Sequence, residues 1–418
     1  MLIYRYQKGK HYKLFYEIKD LVFSGKMLPV MLFYLKIYFP AVMRLLFSRD
    51  RKWTRTAILK QLSHHHNERN PIMLKRVFNN TLEVCITYKC NIICQYCYVR
   101  GLEKIYPENM NLEDFKKLIE WAKCGRWKRI RIAGGEPTIH PEFVEMLNIC
   151  ERNDLRISIA TNNLFSAEIM AKINRGNYDL TIDYNAKKVL DNDKKALYEK
   201  NIKQLNLRRV FFGLSYTIGS ENEGIEDVIK DIKRYRPDYL RTCLALPDFN
   251  TKILGKSVLE GYRDNLFEKI MRIQDVCVRC GVAYYNYRPV PPCLFSEKQW
   301  RRIKSYSPFV MFHRCLIGYE GDFSCLFTVN PDLSFFPCVA IFDKGENILT
   351  YKNRQEISDY FRKQLKKYLT IPLEDGCRKC PAYINFRDSI SSKRLMNSYD
   401  FFSEKYCQGA CLRYHQPN

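Results

Sequence analysis

An α/β fold, a parallel sheet with helices outside it, is what this sequence predicts, and two observations carry that expectation. From residue 81 onward, short β-rich runs alternate six times with amphipathic stretches at helical spacing. The 418 residues, 46% of them hydrophobic, are also enough to bury a substantial core in two or three structural parts. Six strand–helix units imply a parallel sheet that is either doubly wound or curved into a partial barrel. In both arrangements the working face lies at the carboxyl ends of the strands.

Residues 1–80 form the first expected part, a mostly helical, basic and apolar segment. They hold 16 Lys/Arg against 4 Asp/Glu, half of the chain's formal net charge of +24. Residues 27–47 would be long enough to cross a bilayer, but Pro29, Lys36, Pro40 and Arg44 interrupt them. Arg49, Arg51, Lys52, Trp53 and Arg55 follow as a basic and aromatic collar. Two readings stay open: a segment lying in a membrane interface, or a helical pair packed on the catalytic part. A polar linker follows at 63–71; its His64, His65 and His66 are adjacent on a loop, a poor arrangement for sharing one ion.

The second part, 81–276, holds the alternating pattern. Strands are expected at 82–87, 128–133, 155–160, 178–183, 209–216 and 239–246, with helices near 111–123, 141–150, 166–173, 188–204, 222–234 and 256–275. The third part, 277–418, loses the alternation and carries ten of the seventeen Cys, a composition that points to folding around metal. Without a secretory leader, seventeen Cys in short-spaced groups favour reduced thiols and metal ligation over disulfides.

Cys90, Cys94 and Cys97 follow the first expected strand at C-x3-C-x2-C spacing. Soft thiolates stabilise iron–sulfur cubes, and three of them without a fourth leave one iron open. A zinc knuckle would want a fourth Cys or His nearby, yet His is absent from 67–139 and the next Cys is Cys124. Cys85 falls inside the expected strand and reads as core. With Tyr96 at the aromatic position, the run resembles the C-x3-C-x-aromatic-C motif of the radical S-adenosylmethionine (radical SAM) enzymes. That resemblance implies a partial (β/α)6 TIM-like barrel, a [4Fe-4S] cluster with an open iron site, and S-adenosylmethionine chelated there and reductively cleaved to a 5'-deoxyadenosyl radical.

The run Gly134-Gly135-Glu136-Pro137, expected one strand later, resembles the same family's GGEP motif, which contacts the methionine amino group. Paired glycines let a backbone approach a ligand closely, Glu136 offers an acceptor to an ammonium, and Pro137 stiffens the turn. Thr161 and Asn162 stand where the family often places a polar contact to the cofactor, although an Asx-turn or a helix cap explains them equally well. Ser215 and Arg241 are candidates to face the cofactor, Asp183 to touch substrate, and Cys243 to deliver a hydrogen atom. Lys89 and Arg100 flank the thiol loop and counter its charge.

The distal cysteines set the expected subclass. Cys325, Cys338, Cys377, Cys380, Cys407 and Cys411 resemble the SPASM extension, which carries auxiliary [4Fe-4S] clusters in many peptide-modifying radical enzymes. The match is altered: Ser334 stands where that pattern has Gly, and 26 residues separate Cys380 from Cys407. Cys277, Cys280 and Cys293 have spacing like the single-cluster twitch extension, and Cys315 completes the set of distal thiols. Some of these cysteines are equally readable as buried apolar residues.

The expected activity is a radical maturase acting on a ribosomally made peptide by crosslinking, thioether formation or epimerisation, with a flavodoxin- or ferredoxin-type protein as reductant. Two alternatives follow from charge and segment 1–80: modification of a lipid or polyprenyl-linked substrate, and nucleic-acid binding with a structural metal. The expected location is the cytoplasm, or the inner face of the membrane.

Overall fold

The computed structural model describes residues 81–94, 97, 99, 101–174, 176–218, 224–244, 265–286, 327–336 and 345–353, together with 295, 296, 298, 299, 302, 303, 355–357, 359, 360 and 363. The expectations for 1–80, including the membrane-interface segment, lie outside the described residues. Among the described residues no helix is long and apolar enough to cross a membrane.

The elements run β1 (Thr81–Thr87), α1 (Leu112–Cys124), β2 (Arg129–Gly134), α2 (Phe143–Arg152), β3 (Arg156–Thr161), α3 (Ala167–Lys172), β4 (Tyr178–Asp183), α4 (Asn192–Leu207), β5 (Phe211–Ile218), α5 (Glu226–Tyr235), β6 (Tyr239–Leu244), α6 (Leu266–Cys280), β7 (Ala283–Asn286), β8 (Thr328–Val329) and β9 (Phe335–Phe336). All the described strands belong to a single sheet, ordered β7-β6-β5-β4-β3-β2-β1-β8-β9. Seven consecutive strands are adjacent and parallel without a reversal of order, so the sheet has no switch point and the doubly wound alternative falls away. The fold is the open arc of a partial barrel.

Local chemistry explains where the helices begin. Asn111, Ser166 and Asp191 each accept a hydrogen bond from a backbone N–H of the following turn, capping α1, α3 and α4. The expected fifth strand starts two residues late because Arg209 adopts a left-handed φ of 57°, which no strand tolerates.

Alternation along each strand gives the sheet two different faces. Val84, Ile86, Ile130, Ile132, Ile157, Ile159, Leu180 and Ile182 are buried in the main core with Phe115, Leu118 and Phe143 of α1 and α2. The other face is polar: Arg131 pairs with Glu83 at 2.9 Å and Arg129 with Asp179 at 3.1 Å.

The expected boundary between 276 and 277 falls inside a helix. It would cut α6, which runs on to Cys280 and ends at Gly281 with a left-handed φ of 68°. Beyond it, β7, β8 and β9 extend the same sheet rather than starting a separate one. An aromatic series, Trp127 to Phe327, Phe327 to Phe335 and Phe335 to Tyr351, at centroid distances of 5.6, 5.7 and 5.4 Å, joins this later chain to the end of α1.

Candidate active site

Three loops meet at the carboxyl ends of β1, β2 and β3. The first carries Cys90, Cys94 and Cys97, with Cys90 exposed, the other two half-buried, and Ile93 77% exposed. The Cys97 N–H donates to Cys94 O at 3.4 Å, and Cys97 packs against a small cluster of Cys85, Tyr88, Val99, Leu102, Tyr106 and Ala133. Desolvation pushes the Cys90 thiol above its ordinary range, and the charges of Glu136 and Cys97 add to the shift. Tyr96 and Arg100 lie outside the described residues. Lys89 pairs with Glu108 at 2.8 Å, both exposed.

The second loop lies flat on the first. Gly135 N–H donates to Thr87 O at 2.8 Å, and Glu136 N–H to Lys89 O at 2.9 Å. A Cβ on Gly134, whose φ is 134°, would sit 2.0 Å from Thr87 O, and one on Gly135 would sit 2.2 Å from Lys89 O. Both glycines are therefore required by the approach of one backbone to another.

Glu136 is 1% exposed, and its carboxylate ties the second loop to the third. Oε1 accepts from Thr138 N–H (3.2 Å), Thr138 Oγ1 (2.6 Å) and Thr161 Oγ1 (2.8 Å), while Oε2 accepts from Asn162 N–H at 2.6 Å. Burial pushes its pKa up, against the pull of these four donors. Asn162 also donates to Asn91 Oδ1 at 2.6 Å, closing the circuit back to the thiol loop, and its Oδ1 accepts from Leu164 N–H as an Asx-turn. Thr161 and Asn162 thus supply local turn chemistry and two of the four donors to Glu136. Thr138 and Asn91 escaped sequence reasoning, although Asn91 sits inside the cysteine run and Thr138 directly follows Pro137.

Further round the arc, register brings the remaining candidates together. Asp183 pairs with Ser215, Ser215 with Arg241, and Thr217 with Cys243 across β4, β5 and β6. Arg241 Nε donates to Ser215 Oγ at 2.9 Å, and Cys243 Sγ lies 3.4 Å from Thr217 Oγ1. Burial lifts the Asp183 carboxyl to about 6, although Asn185 N–H and the Arg241 charge pull the other way.

Cys277 and Cys280, expected among the metal ligands, are both buried. They lie on the inner side of α6 among Ile270, Ile273 and Val276, both buried in the main core. Burial drives the Cys277 thiol far above its ordinary range. Both occupy the positions of small apolar residues. Cys293, Cys315, Cys325, Cys338, Cys377, Cys380, Cys407 and Cys411 lie outside the described residues.

Residues 84–235 match the family model of the radical SAM superfamily. That matched stretch carries both the thiol loop and the Gly134-Gly135-Glu136 turn, so the likeness to the radical SAM superfamily covers the site itself. Among curated relatives, a probable GTP 3',8-cyclase of Methanothermobacter marburgensis is 29% identical over 116 residues, covering 28% of this chain and 35% of the relative. The chain therefore spans about a third of that relative's length. Two solved structures share the fold. SuiB of Streptococcus suis bound to its precursor peptide SuiA has a TM-score of 0.52 at 13% identity, covering 85% of this chain and 78% of the other. The enzyme anSMEcpe with bound AdoMet and the Kp18Cys peptide has a TM-score of 0.56 at 16% identity, covering 80% and 89%.

The family implies a [4Fe-4S] cluster and S-adenosylmethionine, and the donor set fits this chemically: three soft thiols lie within eight residues on one loop at the working edge. Among the described residues no three His, Cys, Asp or Glu side chains are already gathered into a metal-ligating group. The fit therefore rests on the identity and placement of the thiols.

Proposed function

We propose that this chain is a radical SAM enzyme acting on a ribosomally made peptide. The observation that supports it best is the joint placement of the thiol loop and the Gly134-Gly135-Glu136 turn, hydrogen-bonded to one another at the carboxyl edge of the sheet. Cys90, Cys94 and Cys97 would hold three irons of the cluster. When bound, the cluster and S-adenosylmethionine supply a 5'-deoxyadenosyl radical that abstracts hydrogen from carbon. The chain's own work is placement. Gly134 and Gly135 keep the second loop free of side-chain bulk, and Glu136 locks the floor of the site to Thr161 and Asn162.

Asp183, Ser215 and Arg241 offer carboxylate, hydroxyl and guanidinium groups across the arc, a set that suits the carboxylate and amide groups of cofactor and peptide. Cys243 is the candidate to return a hydrogen atom to a substrate carbon. Auxiliary iron–sulfur clusters on the distal cysteines, a flavodoxin- or ferredoxin-type reductant and an anionic membrane surface belong to the same proposal. The peptide class draws support from the fold shared with SuiB and anSMEcpe, both solved with peptides. A nucleotide substrate is the second reading, favoured by the likeness to a probable GTP 3',8-cyclase.

The test is reconstitution with iron and sulfide, reduction, and measurement of 5'-deoxyadenosine. Turnover that is absent in the parent, or equal in Cys90→Ala, would overturn the enzyme reading. Mass analysis of a genome-neighbouring precursor peptide and of GTP after incubation separates the two substrate classes.

A further inference from the structure

Tyr88 stands two residues before Cys90, and its environment is set by a part of the chain 242 residues away. Its ring packs on Tyr106 at 5.4 Å in the small cluster against which Cys97 also packs. Its hydroxyl donates to Asn330 Oδ1 at 2.5 Å, and the two residues are 3% and 0% exposed.

Asn330 has little freedom to turn away. It lies just after β8, which pairs with β1 through Glu83–Thr328 and Val84–Val329, reinforced by Thr328 Oγ1 donating to Glu83 Oε1 at 2.9 Å. Its own N–H donates to Ser334 O at 2.7 Å, its carbonyl accepts from Leu333 N–H at 2.9 Å, and its Nδ2 donates to Ser334 Oγ at 2.9 Å. Ser334 Oγ in turn donates to Asp332 Oδ1 at 2.5 Å. That chain of donors fixes the amide orientation, with Nδ2 toward Ser334 and Oδ1 toward Tyr88.

Among the described residues the thiol loop is tied by the Cys97–Cys94 turn, by Asn91 to Asn162, and by Lys89 O to Glu136 N–H. Tyr88 precedes Cys90 by two residues and belongs to the cluster against which Cys97 packs, so it bears on both ends of the loop. We infer that Tyr88, held by Asn330 of the β8–β9 hairpin, is a positioning residue for the Cys90–Cys97 loop. The hairpin thereby ties the later chain to the spacing of the three thiols. This rests on the radical SAM reading only where the cluster itself is the readout.

The experiment compares wild type, Tyr88→Phe, Asn330→Leu, which removes the acceptor, and the Tyr88→Phe/Asn330→Leu double variant. In metal-free protein, alkylation rates are mapped by peptide mass at Cys97 and at buried Cys150. In reconstituted protein, the spectrum of the reduced cluster with and without S-adenosylmethionine and the rate of iron loss to a chelator are followed. Losing one buried hydrogen bond should raise Cys97 alkylation about fivefold in Tyr88→Phe. Cys150 should not change, the cluster spectrum should shift, and the double variant should do no more than the stronger single one. An unchanged Cys97 rate and spectrum overturn the inference, as does a parallel rise at Cys150, which marks general loosening. The alkylation arm needs no metal, so it stands apart from failure of the radical SAM reading, which would show as wild type that takes up no cluster.

Discussion

Two of the three cysteine pairs in this chain with the spacing C-x2-C have opposite surroundings. Cys94 and Cys97 lie on a loop at the carboxyl edge of the sheet, half-buried and beside the Gly134–Glu136 turn. Cys277 and Cys280 lie one helical turn apart on the inside of α6, sealed in the main core. Spacing says that two thiols can reach one ion. The element that carries them decides whether they are offered to it, because a ligand must shed its proton and burial without a counter-charge opposes that.

Removing the ties that hold the loop side of this comparison should have the largest effects. Glu136→Ala leaves two hydroxyls and two backbone N–H groups without their acceptor, and chemical denaturation should show a loss of about 3 kcal/mol. Gly135→Ala forces a methyl group against Lys89 O, and overpacking of this kind costs about 2 kcal/mol. It should also lower iron retention, because the atom it pushes belongs to the residue preceding Cys90. Cys277→Ala should cost about 1–2 kcal/mol by thermal denaturation, from lost packing, and leave the iron content unaltered.

The smallest effect is electrostatic. Asp183 binds its proton more tightly in the folded chain, at about 6 against roughly 3.9 unfolded. Its contribution is fully present below pH ~4 and lost as the pH rises through about 6, because the folded state then has to carry the charge in a desolvated place. Asp183→Asn should flatten that decline, so that urea midpoints measured at pH 4 and pH 7 lie closer together than in wild type.

Much of this was legible beforehand because it is local. The six strands follow from β-rich runs, and β4 falls where it was expected, at 178–183. The thiol triad and the Gly-Gly-Glu turn are short motifs whose order along an α/β chain places them on one edge. The two-residue strands β8 and β9 were not legible, since only pairing with β1, some 245 residues away, makes them strands at all. Nor were the four donors to the Glu136 carboxylate, which its own turn, the end of β3 and the loop after it supply. The placement of Cys277 and Cys280 did leave a signal: Ile270, Ile273, Cys277 and Cys280 recur at three- and four-residue steps, the stripe of an inward helix face. Reading those thiols by their spacing to Cys293 obscured it.

The contrast between the two pairs is tested most directly by counting iron per chain after reconstitution in wild type, Cys97→Ala and Cys277→Ala, with 5'-deoxyadenosine measured on the same samples. Cys97→Ala should fail to retain the cluster and should make no product, while Cys277→Ala should match wild type in both. Iron and product lost equally in the two variants, or in Cys277→Ala alone, would contradict the account.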